Sequence, residues 1–290
     1  MKTLFIVNPT AGKGKALKPL GYIHQKLEER EISFDIKITK EKGEAEKIAR
    51  WAAAEDYEKV VALGGDGTIY EILNGLIGRK TALGVIPLGT GNDFVKTMHI
   101  PHNIEEALDI VIRGRKKRID CGKANERYFM NVASIGLDAE IVQKTESIKQ
   151  YISGPTAYVA GVFKTLFQYQ FQKLAIDIDG LRLEEKITLL AIGNGKYYGG
   201  GMKVTPDAQI DDGYFSICLI KELGKLKILS LFPTIFTGEH IKEPVVKLYR
   251  GKEISVRSEG PLLVNVDGDI IGKTPVIFEL VEKAIDVIVP

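Results

Sequence analysis

The alternation of apolar and polar positions changes rhythm once along the chain. In the first third, short apolar runs at Leu4 to Val7, Phe34 to Thr39, Lys59 to Leu63 and Leu83 to Pro87 read as strands. Between them lie helical spacings: Leu17 to Glu29, the set Ala45, Ile48, Ala49, Ala52 and Ala53, the set Ile69, Ile72, Leu73 and Leu76 beginning near Thr68, and Ile104 to Ile112. This βαβα order predicts a parallel sheet covered by helices, with right-handed connections and ligands bound beyond the C-terminal strand ends. After about Asp120 the pattern is different. Arg127 to Val132, Lys173 to Asp179, Leu183 to Ile192, Tyr214 to Ile220, Val245 to Leu248, Glu253 to Arg257, Leu262 to Val266 and Val276 to Leu280 read as strands, many alternating, with turns such as Asp179-Gly180 between them. Helical patterns interrupt this series near 155–168 and 225–237. The expected fold class is therefore α/β + β: a parallel-sheet α/β domain over 1–120 and an antiparallel β-sandwich domain over 121–290.

Composition narrows the function classes. With 290 residues, 44% apolar and 27% charged, the chain has the make-up of a soluble globular protein large enough for two modest cores. A net charge of +2 provides no field that would attract nucleic acid, so no nucleic-acid partner is expected. Arg113, Arg115, Lys116, Lys117 and Arg118 cluster locally, and we read them as a solvated turn after a helix, with contact to an anionic lipid the alternative. Cys121 and Cys218 show neither metal spacing nor a disulfide framework, which fits a reducing cytosol. The N-terminal apolar stretch is too short for a signal peptide, and no run reaches about 20 apolar residues, so the expected location is cytoplasmic.

Three loops carry candidate chemistry. Gly64-Gly65-Asp66-Gly67-Thr68 follows a buried strand and opens a helix, so backbone N–H groups and the positive helix end face whatever binds there. Glycines admit a phosphate close to the backbone. An aspartate at such an anion site makes sense if it holds a cation, and Mg²⁺ bridging ATP phosphates would supply one. The alternative use of Asp66 is as a helix cap. Asn8-Pro9-Thr10-Ala11-Gly12-Lys13-Gly14 is a second strand-to-loop junction without P-loop spacing. Pro87-Leu88-Gly89-Thr90-Gly91-Asn92-Asp93-Phe94 is a third, in which Thr90 and Asn92 offer hydrogen bonds and Asp93 a helix cap. All three follow strands of one parallel sheet and should meet at one edge.

Asn-Pro-x-x-Gly, Gly-Gly-Asp-Gly-Thr and Pro-Leu-Gly-Thr-Gly-Asn-Asp-Phe, in this order, resemble the diacylglycerol-kinase catalytic family, and more narrowly its soluble bacterial members. The resemblance spans essentially the whole chain. It implies an N-terminal nucleotide domain like that of NAD kinases and phosphofructokinases, a C-terminal β-sandwich, and an active site in the cleft between them. The nucleotide-contacting positions it implies are Asn8, Pro9, Thr10, Ala11, Gly12, Thr39, Gly64, Gly65, Asp66, Gly67, Thr68, Glu71, Thr90 and Asn92. Asp207 to Tyr214 resembles the family's structural Mg²⁺ site, with a carboxylate from Asp212 and backbone carbonyls from Gln209 and Tyr214; the segment also reads as a plain turn. Asp66 and Asp120 are implied on the Mg²⁺ side of the nucleotide, Asp120 reading otherwise as an exposed acid paired with Lys117 or Arg118. The family's general base falls on Asp267 of Val264-Asn265-Val266-Asp267-Gly268-Asp269, where the bare sequence suggests a hairpin turn. Family members often carry Glu where this chain has Asp269, which leaves a supporting role there open.

The activity this implies is ATP- and Mg²⁺-dependent phosphorylation of a lipid hydroxyl, diacylglycerol first, by a cytoplasmic protein that meets the membrane surface peripherally and transiently. Other acceptors remain open: phosphatidylglycerol, a sphingoid base, or another prenyl or glycerol lipid. NAD kinase shares Gly-Gly-Asp-Gly-Thr, but the Asn8-Pro9 and Asn92-Asp93-Phe94 loops fit lipid kinases better. A nucleotide-binding regulator without transfer activity is the alternative from another class, and a homodimer is left open. Tyr158, Val162, Phe163, Leu166 and Phe167 form one aromatic set at helical spacing, and Leu226, Leu229, Phe232, Pro233 and Phe236 another. Core packing is the expected use of both, with acyl-chain or bilayer contact the alternative. Gly199-Gly200-Gly201 permits a close-approach loop of either nucleotide or substrate use.

Overall fold

The computed structural model describes residues 2–149 and 165–290. The chain forms two compact units: Met1–Cys121 with Gly199–Gly201 and Val281–Pro290, and Gly122–Tyr198 with Met202–Leu280.

In the first unit, β1 (Thr3–Val7), β2 (Phe34–Ile38), β3 (Lys59–Gly64) and β4 (Ala82–Pro87) run parallel in the order β2-β1-β3-β4. The end of β15 (Val276–Val289) joins beside β4, Val287 opposite Leu83. Strands β1 and β4 are buried along their whole length, so their apolar runs do not alternate, as expected of a sheet covered on both faces. Helices α1 (Leu20–Glu28), α2 (Glu44–Ala54), α3 (Asp66–Leu76), α4 (Asp93–Thr97) and α5 (Ile104–Arg113) supply the cover. Asn103 caps α5 by accepting from the N–H groups of Glu105 and Glu106. From β1 the chain moves to β2 on one side, then crosses back to β3 on the other. The strand order therefore reverses between β1 and β3, where an open α/β sheet leaves a crevice for a ligand.

The basic run differs from its expected form. Only Gly114 separates α5 from β5 (Arg115–Ala124), so Arg115 to Arg118 lie in a strand and not in a turn. Arg115 Nε donates to the Pro290 carbonyl at 3.0 Å and Arg118 Nε to the Lys283 carbonyl at 2.9 Å. Four consecutive basic residues show no alternation and so hid a β pattern whose partner is the far C-terminus.

The second unit is antiparallel. Its longest internal strand, β9 (Leu181–Gly193), pairs through its first half with β8 (Lys173–Ile178) and through its second with β7 (Val132–Gly136) and β10 (Phe215–Lys221). From β8 the ladder continues through β12 (Glu253–Ser258) to the start of β15. From β7 it continues through β13 (Leu263–Val266) to β14 (Asp269–Lys273), and β11 (Val246–Gly251) flanks β10. Residues on β7, β9 and β10, including Val132, Leu189, Ala191 and Cys218, share a core with Leu231 and Ile235 of α6 (Lys225–Thr237). A helix after β7, Leu137–Lys149, was not expected from the sequence, because its apolar positions are too few to set a helical period.

The second aromatic set does not pack as expected. Along α6, Leu231 and Ile235 are the buried residues, whereas Leu226, Phe232 and Phe236 are 78%, 44% and 48% exposed. The helix is apolar on nearly every side, so spacing alone could not select the face it buries. Of the first set, Leu166 is buried and Phe167 exposed; Tyr158, Val162 and Phe163 lie outside the described residues.

A short strand, β6 (Arg127–Phe129), pairs with the end of β5 and lays the Phe129 ring directly over Gly122. A Cβ at Gly122 would lie 2.0 Å from the ring, which also stacks on Phe215 at 5.7 Å. Gly122→Ala should therefore destabilise the protein by about 1–3 kcal/mol, the usual cost of overpacking a filled core. Urea unfolding would measure it, and an unchanged midpoint would show that the ring moves freely.

Candidate active site

The three loops converge within the first unit. Asn8 ends β1, and its Nδ2 donates to Thr68 Oγ1 at 3.2 Å, linking the loops on either side of the crevice. Its Oδ1 accepts from the N–H and hydroxyl of Thr10 at 3.0 and 2.8 Å, which folds Pro9 to Gly12 into a tight turn. Gly12 has φ 60°, and a Cβ there would lie 2.6 Å from the Leu88 carbonyl oxygen. Gly65 and Gly89 meet backbone to backbone: a Cβ on Gly89 would approach Gly65 Cα to 2.4 Å. At Gly64 the added atom would meet Thr68 Oγ1 at 2.3 Å. Glycine at these positions allows peptide groups to crowd one edge of the sheet, where their N–H groups can serve an anion. Thr39, at the end of β2, is buried and bonded through N–H and hydroxyl to the Val7 carbonyl at 2.9 and 3.3 Å.

Gly67 and Thr90 are exposed, Thr68 and Asn92 buried. Asn92 takes a left-handed φ of 50° and donates to the Gly89 carbonyl at 2.9 Å, shaping the third loop. Glu71 lies deeper. Its carboxylate accepts from the N–H groups of Gly43 and Ala45 at 2.8 and 3.1 Å, so it holds the start of α2. This is a framework bond, whatever Glu71 contributes to a nucleotide.

One Asp66 oxygen accepts from the Phe94 N–H at 3.1 Å, so Asp66 caps α4 and not its own helix. Burial pushes its carboxyl above the usual range, and the charge of Asp93 adds to this, against the backbone N–H groups of Phe94, Asp93 and Asn92. Asp93 is itself paired with Lys96, and among the described residues no group of three or more acids, histidines or cysteines surrounds Asp66, so Asp66 could supply one carboxylate to a cation whose other ligands come from elsewhere. Asp120 is buried, not exposed, and accepts from the Lys283 N–H at 2.7 Å.

Sequence reasoning saw in Asp93 only a helix cap. The structure gives it more: it is buried, paired with Lys96 at 3.1 Å, and accepts from the Gly200 N–H at 2.7 Å. Gly199-Gly200-Gly201 therefore packs with the first unit, against the third loop. The Asp93–Lys96 spacing of three residues was the available signal.

In the second unit, Asp267 has φ 48° and follows β13. Its carboxylate accepts from Met130, Asn131 and Val132 N–H groups at 2.8, 3.0 and 3.0 Å. These bonds fix its orientation and make it a turn residue as well as a candidate base. Asp212 is also engaged: one oxygen accepts from the Tyr214 N–H at 3.1 Å and the other from the Arg250 guanidinium, whose carbon lies 4.7 Å over the Tyr214 ring. Asp212, Gln209 and Arg250 line a cleft of about 400 Å³. Arg250 already neutralises the only side-chain anion in the Gln209, Asp212, Tyr214 set, so a cation does not fit there unless the guanidinium leaves.

Two outcomes follow from these carboxylates. Asp66 binds its proton more readily folded than unfolded, so its ionisation subtracts stability as pH rises from the unfolded toward the folded value, and the loss persists at neutral pH. Asp66→Asn should hence melt at or above the wild-type temperature at pH 7 while losing nucleotide-dependent activity; a clearly lower melting temperature would contradict this. Arg250→Ala should acquire a Mg²⁺-dependent rise in melting temperature larger than the wild type's, and equal responses would show that Asp212 binds no metal even when released.

Known proteins divide the chain near the same boundary, although the second family model also takes in Gly199–Gly201 and most of Val281–Pro290, which pack with the first unit. Residues 2–124 match the family model for the diacylglycerol kinase catalytic domain, and residues 131–289 that for the YegS C-terminal NAD kinase beta sandwich-like domain. Diacylglycerol kinases of Staphylococcus aureus, strains bovine RF122 / ET3-1 and MRSA252, are each 36% identical over 98% of this chain and 91% of their own. A crystal structure of a diacylglycerol kinase from Bacillus anthracis is 29% identical, with a TM-score of 0.79 over 100% of this chain and 97% of that one. A second structure from the same organism is 28% identical with a TM-score of 0.84, covering 100% and 95%. Its parallel α/β unit, its antiparallel unit and these similarities together show that the chain belongs to the diacylglycerol kinase family.

Proposed function

We propose that the protein transfers the γ-phosphoryl group of ATP to a lipid hydroxyl, diacylglycerol being the acceptor and phosphatidic acid the product. The observation that carries this reading is the meeting of three glycine-containing loops at the strand-order reversal between β1 and β3. Such an edge presents backbone N–H groups to phosphate without covalent participation, which suits phosphoryl transfer, where positioning and charge neutralisation supply most of the catalysis. Lys96, held by Asp93, adds a positive charge near the loops. Mg²⁺ arriving with ATP would neutralise the phosphates, with Asp66 as its protein carboxylate.

Asp267 is our general base: its carboxylate would orient the acceptor hydroxyl and take its proton. The two units then divide the work, nucleotide on the first and base on the second. Among the described residues no helix is long and apolar enough to cross a membrane, and we place the enzyme at the membrane surface, reaching its lipid peripherally from the cytoplasm. The bonds from Met130, Asn131 and Val132 to Asp267 support the competing reading, in which Asp267 is structural and the protein binds nucleotide without transfer.

Labelled ATP, Mg²⁺ and a panel of lipids in mixed micelles separate these readings. Labelled phosphatidic acid is expected. Asp267→Asn should lower turnover by about 10²–10⁴-fold, the usual contribution of a positioned base, with ATP affinity within twofold. Its melting temperature must be measured alongside, because asparagine cannot accept all three N–H bonds equally well. Retained turnover would unseat Asp267, and an inactive wild type that binds ATP would favour the regulator.

A further inference from the structure

The turn that holds Asp267 is itself held from behind. Asp267 accepts from the N–H groups of Met130, Asn131 and Val132, and its own N–H donates to the Val132 carbonyl at 3.1 Å. In a trans peptide the carbonyl points away from the N–H, so the Met130 and Asn131 carbonyls face away from the carboxylate. Asn194 and its neighbour take both. Asn194 Nδ2 donates to the Met130 carbonyl at 2.8 Å. The main-chain N–H groups of Asn194 and Gly195 each donate to the Asn131 carbonyl at 2.8 Å. The peptide from Met130 to Asn131 therefore accepts from Asn194 on one side and donates to Asp267 on the other. The peptide from Asn131 to Val132 does the same.

The local sequence explains why an asparagine sits there. Strand β9 ends at Gly193, which lies opposite Val132 of β7. The next residue arrives beside Asn131, where the ladder gives way to the Asp267 turn. Asn194 is fully buried and Met130 and Asn131 are buried too, so bulk water does not replace a donor lost here. Gly195 is fixed in turn, because its carbonyl accepts from the buried Thr205 hydroxyl at 2.8 Å. Gly193 makes room for that hydroxyl: a Cβ there would lie 2.1 Å from Thr205 Oγ1. A line of bonds thus runs from Thr205 through Gly195 and Asn131 to Asp267. Closing a strand end needs one such bond; here three donors converge on the two peptides that face the carboxylate.

A peptide whose carbonyl accepts a hydrogen bond is polarised, and its N–H becomes a stronger donor. Resting on the reading of Asp267 as the base, we infer that Asn194 is the positioning residue of that base. Its side chain and main chain fix and polarise the peptides that aim the Asp267 carboxylate, and Thr205 keeps Asn194-Gly195 in place. Asn194 acts only through Asp267, and proton transfer stays with Asp267. A base aimed in this way needs little reorganisation as it takes a proton, so the loss of the support should be felt in turnover and not in binding.

The test uses the full chain. Asn194→Ala removes the donor to Met130. Thr205→Val exchanges a hydroxyl for a methyl at nearly constant shape and loosens Gly195, while Thr205→Ser keeps the hydroxyl and serves as the rescue. For lipid phosphorylation, kcat should fall roughly 10–100-fold in Asn194→Ala and less in Thr205→Val. KM for ATP and for lipid should stay within twofold, and Thr205→Ser should resemble the wild type. A second readout needs no turnover. In protein labelled with ¹³C at its aspartate carboxyls, the Asp267 signal is the one missing from Asp267→Asn. It should titrate at higher pH in Asn194→Ala and Thr205→Val than in the wild type, because weaker donors favour the carboxylate less. If Asn194→Ala does not fold, Thr205→Val carries both readouts. Folded variants with wild-type kcat, or with reduced kcat and an unmoved Asp267 titration, overturn the inference and leave Asn194 a strand-end clamp. A wild type that phosphorylates no lipid, with the Asp267 titration still moved by these substitutions, sinks the kinase reading and leaves the support of Asp267 standing.

Discussion

The first unit depends on one steric constraint, the approach of backbone to backbone where the loops after β1, β3 and β4 meet. Gly65 and Gly89 touch through their main chains, and Gly12 lies against the Leu88 carbonyl. No side chain fits at these contacts, so the sequence gives up Cβ atoms where the sheet needs its loops closest. What results is an edge of peptide groups held by few side chains, chiefly Asn8 to Thr68, Asn92 to Gly89 and Asp66 to Phe94. An edge of this kind takes its shape from loop geometry, and the polar side chains of the loops serve mostly to hold other backbone.

That division of labour extends to the acids. Asp66 caps α4, Glu71 caps the start of α2, Asp93 holds Gly200, Asp120 holds Lys283 and Asp267 holds three successive N–H groups. In each case a carboxylate replaces a backbone carbonyl as the acceptor, at a loop or helix end for most of them and at Lys283, a left-handed residue within a strand, for Asp120. Structural and chemical roles are compatible in one residue: a base or metal ligand fixed by several N–H bonds is preorganised, and little reorganisation is needed when charge develops nearby. Asp212 shows the limit of this. Its second oxygen is paired with Arg250, and a guanidinium at that position supplies the positive charge that a metal would otherwise bring.

Much of this was legible in the sequence. The four parallel strands of the first unit stood out as apolar runs between helical spacings, and most of the later strands as alternation between turns. The three loops were visible because glycine, asparagine and aspartate cluster where strands end. The rest depended on distant pairing. Arg115 to Arg118 form a strand because Lys283 and Pro290 return beside them, and no local pattern announces a partner some 165 residues away. Lys96 and Gly200 join the third loop only through Asp93, a contact invisible until the chain folds. The use of Leu226, Phe232 and Phe236 was misjudged for a different reason: in a helix apolar all round, hydrophobicity says that something must be covered, and not what covers it.

That last point bears on the surface that α6 presents. Burying α6 fully would have cost nothing chemically, since every exposed apolar residue on it could in principle pack. Leaving Leu226 largely and Phe232 and Phe236 about half exposed forfeits part of the roughly 1.5–3 kcal/mol that full burial of each would bring. A surface that gives up this much is suited to an apolar environment that comes and goes.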